Sequence, residues 1–219
     1  MRFGVVAALA DLVLGEPCAG CAGPGGPLCP GCAEALERRP WPCRPRPGCP
    51  PAWAAGPYAG RERSLLLAFK EHRRRGLAAP LGRRLAAAVS AGGGVRDAVV
   101  VPVPARSGAA RRRGYDPALL LAEAACADLR CRTGTVRVVR ALRYRRRPVD
   151  QAGLGRERRR ANLAGAFTLR PEAVPSLRHR SVVVVDDVLT TGATLSEATR
   201  VLRRIEAAEV RAAVLTERR

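Results

Sequence analysis

Apolar and charged residues are arranged in three regimes from one end of the protein to the other. Phe3–Leu14 is almost continuously apolar, interrupted only by Asp11. Residues 16–57 show neither the 3.6-residue period of a helix nor the alternation of a strand. Beyond them, long Ala/Leu/Arg stretches alternate with short β-branched runs. Arg61–Lys70 and Ala78–Val89 predict helices. Ala98–Val103 predicts a buried strand, stopped by Pro102 and Pro104. Pro117–Leu129 predicts a helix with Asp116 as N-cap and Pro117 at its first position. Val136–Leu142 predicts a strand, Ser181–Val185 a second, Thr194–Ala207 an amphipathic helix and Val210–Leu215 a last strand. Strands that alternate with helices, several of them continuously apolar, imply an α/β fold. Its sheet is mostly parallel and is covered on both faces.

Composition narrows the class. The chain has 219 residues, 47% of them hydrophobic, which is too apolar for a disordered polyelectrolyte. No apolar run reaches the roughly 18 residues that a membrane span needs, so no membrane insertion is expected. The segment 1–15 reads as a short amphipathic helix rather than an export signal. Its n-region holds one charge, Asp11 breaks the apolar run, and no A-x-A pattern follows. The chain is therefore expected in the cytoplasm, where clustered cysteines hold metal more often than they form disulfides. The net charge is +20, and Lys70 is the sole lysine among 39 basic residues. Such a replacement of Lys by Arg looks like a coding bias of the source, so part of the basicity is background.

The segment 16–57 carries six of the eight cysteines and most of the prolines. A Pro/Gly-rich stretch this short cannot bury enough apolar surface to fold unaided. Its cysteines supply a staple: Cys18-x2-Cys21-x7-Cys29-x2-Cys32 places two thiolates on each of two knuckles, which completes a tetrahedral shell for a structural Zn2+. A redox dithiol would show one such motif at the head of a helix that follows a strand. Cys43 and Cys49 are unassigned at this level: leftovers, alternative ligands, or half of a second site. Cys126, in an Ala-rich helix, reads as a core thiol.

The stretch Val182–Thr194, VVVVDDVLTTGAT, is the most informative. A buried strand ends in two carboxylates, Asp186 and Asp187, and a hydroxyl-rich loop, Thr190-Thr191-Gly192-Ala193-Thr194, opens a helix. Ligands of open α/β sheets sit at the carboxyl ends of strands. Amides at a helix N-terminus, flanking hydroxyls and a Gly that permits close backbone approach suit a phosphate. Carboxylates beside that cradle suit sugar hydroxyls, so a ribose 5-phosphate satisfies both halves. A nucleotide-hydrolysing site with the same strand would need G-x-x-x-x-G-K-[ST]. Lys70, between Phe69 and Glu71, does not provide it. The plain alternative is an ordinary strand–turn–helix with an exposed acidic pair.

VVVVDDVLTTGAT is very similar to the phosphoribosyl-pyrophosphate (PRPP) signature of type I phosphoribosyltransferases. With the tandem C-x-x-C segment, FKEHRRR at Phe69–Arg75, VVVPVPARSGAARRRGYDPALLLAE at Val99–Glu123 and PVDQAGLGRERRRANLAGAF at Pro148–Phe167, the chain resembles the ComF family of competence-associated proteins over about residues 16–215. The resemblance implies a zinc-ribbon-like head at 16–57 on a type I phosphoribosyltransferase-like body at 58–219. It implies that Asp186 and Asp187 hold the ribose hydroxyls and that Thr190, Thr191, Gly192, Ala193 and Thr194 hold the 5′-phosphate. Mg2+ would arrive with PRPP. Val101–Pro104 would lead to the pyrophosphate side, followed by Arg113-Gly114-Tyr115-Asp116. Lys70 matches the family's lysine after the first helix, and Arg159 and Asn162 match its R-x-x-N element. Two departures stand out. The family's four C-x-x-C pairs are here two, plus a stretched Cys43…Cys49, which puts a second zinc in question. RGFNQ reads RGYDP, which replaces an amide by Asp116, and a helix cap explains that residue equally well.

Arg137–Arg160 contains ten arginines against Asp150 and Glu157, and Arg106 and Arg111–Arg113 add four. Arginine forks bind phosphate, whether on PRPP or on a nucleic-acid backbone. Tyr144, Trp41 and Trp53 are too few for a base-stacking platform. His72 and His179 lie in Arg-rich stretches and read as exposed. Two functions fit: a phosphoribosyltransferase of unspecified acceptor, or a non-catalytic accessory of DNA uptake. The accessory would bind single-stranded DNA or DNA-uptake proteins and keep the PRPP-type site as a sensor or scaffold.

Overall fold

The computed structural model describes residues 16–105, 108, 113–133, 135–146 and 156–218. The helix expected over residues 1–15 lies outside them. The elements are α1 (Pro30–Ala35), β1 (Trp41–Pro42), β2 (Ala52–Pro57), α2 (Gly60–Glu71), α3 (Ala78–Ala91), β3 (Val99–Pro102), α4 (Pro117–Thr133), β4 (Arg137–Val138), β5 (Leu142–Tyr144), α5 (Arg156–Leu163), β6 (Phe167–Leu169), β7 (Ser181–Leu189), α6 (Ala193–Leu202) and β8 (Glu209–Glu217). The main sheet has the order β1-β2-β8-β7-β3-β4, and β5 and β6 pair separately. Only β1 runs antiparallel in the main sheet.

Strand alternation decides where each apolar side chain goes. Val183 and Val185 join one cluster with Leu65, Leu66 and Phe69 of α2 and with α3 and α4. Val182 and Val184 join the opposite cluster with Leu195, Ala198, Val201 and Leu202 of α6. All four valines are fully buried, and each contributes about 1.5–3 kcal/mol by leaving water. This is the expected mostly parallel α/β sheet, covered on both faces.

Several boundaries differ from the sequence expectation by a few residues, and four of the differences bear on the site or the sheet. β7 continues past Val185 to Leu189 because β8 offers ladder partners for Asp186, Val188 and Leu189. The expected strand Val136–Leu142 is two strands: Arg137–Val138 pairs with β3, while Leu142–Tyr144 pairs with β6. The Ala141 amide donates to the Val139 carbonyl at 2.9 Å, an i→i+2 closure that turns the chain between them. α6 ends at Leu202 instead of Ala207, in i→i+3 bonds from Arg204 and Ile205. Finally, Ala52–Pro57, read as the end of the head, is a sheet strand parallel to β8. It is covered on both sides, so it carries no alternation to read.

The Cys-rich segment packs on this body. Leu36 is part of the α2–α3–α4 cluster. Arg74 Nη1 donates to the Pro17 carbonyl at 2.7 Å and Arg61 Nη1 to Gly31 at 3.1 Å. Among the described residues no helix is long and apolar enough to cross a membrane.

Candidate ribose-phosphate site and cysteine centre

β3 leads outward to β4 on one side of the sheet, and its other neighbour, β7, leads to β8 in the opposite direction. The crevice between β3 and β7 is thus the topological switch point, where α/β sheets bind ligands. β3 stops at Pro102, paired with Val185, and the Val103 amide donates to Val185 O at 3.0 Å. Asp186 is the next residue, so the acidic pair opens into that crevice.

Alternation sends the two carboxylates to opposite sides of β7. Asp187 turns toward the α2 face, where Lys70 Nζ meets its Oδ2 at 2.7 Å. Burial disfavours the ammonium, but the Asp187 charge and hydrogen bond, helped by Asp186, outweigh it and hold Lys70 above its ordinary value. Asp186 accepts from the Asp187 amide at 2.8 Å. Desolvation, and then the Asp187 charge, push its carboxyl up to about 7, and Asp116 adds to the repulsion. The site therefore holds one firmly paired carboxylate and one that binds its proton near neutrality.

The loop that follows turns at Gly192, whose φ of +79° is left-handed and which caps α6. Thr191 Oγ1 accepts from the Ala193 amide at 3.4 Å, and the first bond within the helix runs from Ser196 N to Gly192 O at 2.8 Å. The first-turn amides of Ala193, Thr194 and Leu195 have no acceptor of their own within the helix, which is the feature a phosphate uses. The Thr190 carbonyl accepts from Arg46 Nε at 3.0 Å. Arg46 was not among the sequence-derived site residues. It sits in a Pro-rich segment with no periodicity, about 140 residues upstream in sequence, so only the folded chain reveals it.

On the β3 side, Asp116 does cap α4: its Oδ1 accepts from the Leu119 amide at 3.2 Å, and its Oδ2 accepts from Ala105 at 3.1 Å. The carboxylate thus tethers the start of the loop that follows β3. Arg113 pairs with Glu71 at 2.7 Å, one residue from Lys70, rather than reaching the acidic pair. Tyr115 donates its hydroxyl to the Phe69 carbonyl and lies under the Arg75 guanidinium, 4.8 Å from the ring centroid. Beyond Asp116 a cleft of about 490 Å³ opens between the end of β3, α4 and the antiparallel β5–β6 pair. Arg140, Arg143, Arg145, Arg146 and Arg170 line it with Tyr144, whose ring stands edge-on to Phe167. Among the described residues, no carboxylate lies within ion-pair distance of Arg140, Arg143 or Arg145, and all three are exposed. Asn162 lies in α5, where its carbonyl accepts from Arg146 at 3.1 Å. The side chain of Arg159, like Arg106, Arg111 and Arg112, lies outside the described residues. His72 and His179 are exposed.

Cys18, Cys21, Cys29 and Cys32 bring their sulfurs within 4.8 Å of one another. A tetrahedral zinc would set these separations at about 3.8 Å, and Cys21 and Cys29 already lie at 3.7 Å. Amides of Gly20 and Cys29 donate to Cys18 Sγ at 3.4 and 3.3 Å. Burial opposes ionisation of Cys18, but these amides, with Cys21, bring it down to about 6. Burial and the neighbouring thiols push Cys32 the other way. Gly20 leaves the needed room, since a Cβ there would lie 2.7 Å from Cys32 Sγ. Four converging thiols with amides aimed at sulfur fit a metal such as zinc. Cys43 and Cys49 stay apart from this cluster: both pack against the α6-side core, and Cys49 Sγ donates to the Gly192 carbonyl at 3.1 Å. Cys126 is fully buried, as expected, and desolvation pushes its thiol up to about 11.

Residues 117–219 match the phosphoribosyl transferase domain family. The chain is 31% identical over 192 residues to DNA utilization protein YhgH of Escherichia coli K12, covering 84% of this chain and 81% of that protein. It is 33% identical over 111 residues to Competence protein F of Haemophilus influenzae, covering 51% of this chain and 46% of that protein. The chain thus spans less than half of Competence protein F but most of YhgH. The cysteine cluster, the β3–β7 crevice with its acid–loop–helix run, and these similarities together place the chain in the ComF family, with a body built on a phosphoribosyltransferase-type sheet.

Proposed function

We propose that this protein binds PRPP, or another ribose 5-phosphate compound, at Asp186–Thr194 and acts as a phosphoribosyltransferase. The observation that carries this reading is one continuous stretch: an acidic pair opening into the β3–β7 crevice, followed within five residues by a Gly-capped helix N-terminus. Asp186 and Asp187 would accept from the ribose 2′- and 3′-hydroxyls, and Thr190–Thr194 would take the 5′-phosphate. PRPP would bring its own Mg2+. Lys70 pairs with Asp187 beside the crevice. Transfer at the anomeric carbon passes through a cation-like state that needs a held pyrophosphate and electrostatic support rather than a protein nucleophile. The Cys18–Cys32 cluster holds one structural zinc, and the reduced thiols suit the cytoplasm.

The test is calorimetric titration with PRPP·Mg2+ and with ribose 5-phosphate, then pyrophosphate release across a panel of nucleobases. Replacing Asp186 and Asp187 by Asn should weaken either ligand by about 1.5–3 kcal/mol per charge-assisted bond. Unchanged affinity in the Asn pair would reduce the likeness to fold alone. A second reading is a DNA-uptake accessory that uses the ribose site as a sensor. The arginine-lined cleft favours it, as do the names of the relatives. In that case single-stranded DNA binds with a steep salt dependence and no pyrophosphate is released.

A further inference from the structure

The segment Cys43–Cys49 covers the loop that would hold the 5′-phosphate. Arg46 Nε donates to the Thr190 carbonyl at 3.0 Å, and Cys49 Sγ donates to the Gly192 carbonyl at 3.1 Å. These two carbonyls flank the Thr191 turn, and the Gly192 carbonyl also accepts the first bond of α6. Packing is close: a Cβ on Gly192 would lie 2.5 Å from Cys49 Sγ and 2.9 Å from Arg46 Cδ, and one on Gly48 would lie 2.3 Å from Ser196 Oγ. Arg46 is itself fixed. Its Nη1 meets Glu217 Oε1 at 2.9 Å and the Arg44 carbonyl at 3.0 Å, and Glu217 is fully buried and also accepts from Trp41 Nε1 at 3.0 Å. From the other side, the Arg160 guanidinium of α5 donates to the Pro47 carbonyl. The Cys-rich segment therefore grips the loop between β7 and α6 through two donors, and β8 and α5 anchor the grip.

We propose that Arg46 and Cys49 are positioning residues for the 5′-phosphate: they hold the Thr190 and Gly192 carbonyls in place, which fixes the turn that presents the Thr191 amide and the first-turn amides of α6 to the ligand. This rests on the reading of Thr190–Thr194 as the phosphate loop. It gives the stretched Cys43…Cys49 pair a role that needs no second metal. A peptide unit has its carbonyl and amide on opposite sides, so a donor that pins the carbonyls of residues 190 and 192 fixes the directions of the amides of residues 191 and 193. A pre-oriented loop binds its anion without first losing conformational freedom.

Three variants of the full, metal-loaded chain separate the contributions. Arg46→Lys keeps a cation for Glu217 and removes the Nε donor to Thr190. Cys49→Ala removes the thiol donor, and Cys49→Ser keeps a donor in its place. The Cys49 pair has no buried charge to strand, so it carries the test even if Arg46→Lys lowers stability. The first measurement uses no ligand: amide hydrogen exchange at residues 190–196 should quicken about threefold or more in Arg46→Lys and Cys49→Ala, with Val182–Val185 unchanged. The second is titration with ribose 5-phosphate, whose affinity should fall about threefold to tenfold in the same two variants and return in Cys49→Ser. Unchanged exchange in both variants would show that the segment does not hold the loop. Quickened exchange with undiminished affinity would show that the grip serves stability alone. Quickened exchange in a chain whose parent form takes no ribose 5-phosphate would instead remove the phosphate-loop reading, and the positioning role with it.

Discussion

Replacing Asp186 by Asn should make the protein more stable, and increasingly so as pH rises. Asp186 binds its proton up to about 7 in the folded chain, against an ordinary value of 3.8. Between those two pH values the unfolded chain releases a proton that the folded chain keeps. The folded state therefore loses stability as pH climbs through this window, and above pH 7 the loss is complete. Holding the proton from 3.8 up to about 7 corresponds to about 4 kcal/mol at most. Asp186 keeps part of its surface open to water, and solvent screening lowers the cost to about 2 kcal/mol. Asn keeps the shape, and its carbonyl can still accept from the Asp187 amide, but it never ionises. Urea denaturation of parent and variant at half-unit steps from pH 4 to pH 8 would measure the difference, in which titrating groups remote from Asp186 cancel. The expected curve is near zero at pH 4 and rises to about 2–4 kcal/mol in favour of Asn at pH 8. A flat difference, or one that favours the parent at pH 8, would refute the crowded, desolvated environment assigned to Asp186.

Three other perturbations follow from the same geometry. Lys70→Met should cost about 1–3 kcal/mol at pH 7, because it leaves the Asp187 carboxylate without its cation. A double-mutant cycle with Asp187→Asn should recover most of that cost. Gly192→Ala should destabilise by about 1–3 kcal/mol in thermal or urea unfolding, since φ is +79° and the new Cβ would meet Cys49 Sγ at 2.5 Å; a neutral effect would mean that the loop is not gripped. Elemental analysis after dialysis should find about one zinc per chain. A strong chelator should unfold the Cys-rich segment while leaving most of the helix signal; the four sulfurs in disulfides would overturn this.

Local and periodic features were legible in the residues alone. SVVVV at 181–185 could only be a buried strand, Asp116-Pro117 could only open a helix well, and two C-x-x-C knuckles seven residues apart could close one four-sulfur shell. The candidate ligand loop was legible for the same reason, because its acids, hydroxyls and glycine are consecutive in the chain. Tertiary structure decided whatever depends on a distant partner. β7 outruns its valines because β8 pairs with Asp186, Val188 and Leu189, a ladder that no residue of β7 encodes alone. Ala52–Pro57 enters the sheet because β8 pairs with it and the two core clusters cover its faces, and a strand buried on both faces has no alternation to read. Lys70 could be matched to its family position from sequence, yet its partner, Asp187, lies more than a hundred residues away and on a face that only strand alternation selects. Arg46 and Cys49 were the least legible. Their contacts are with backbone carbonyls, which every residue carries, so their side chains announce no target, and only the closing of the Cys-rich segment over Gly192 gives them one.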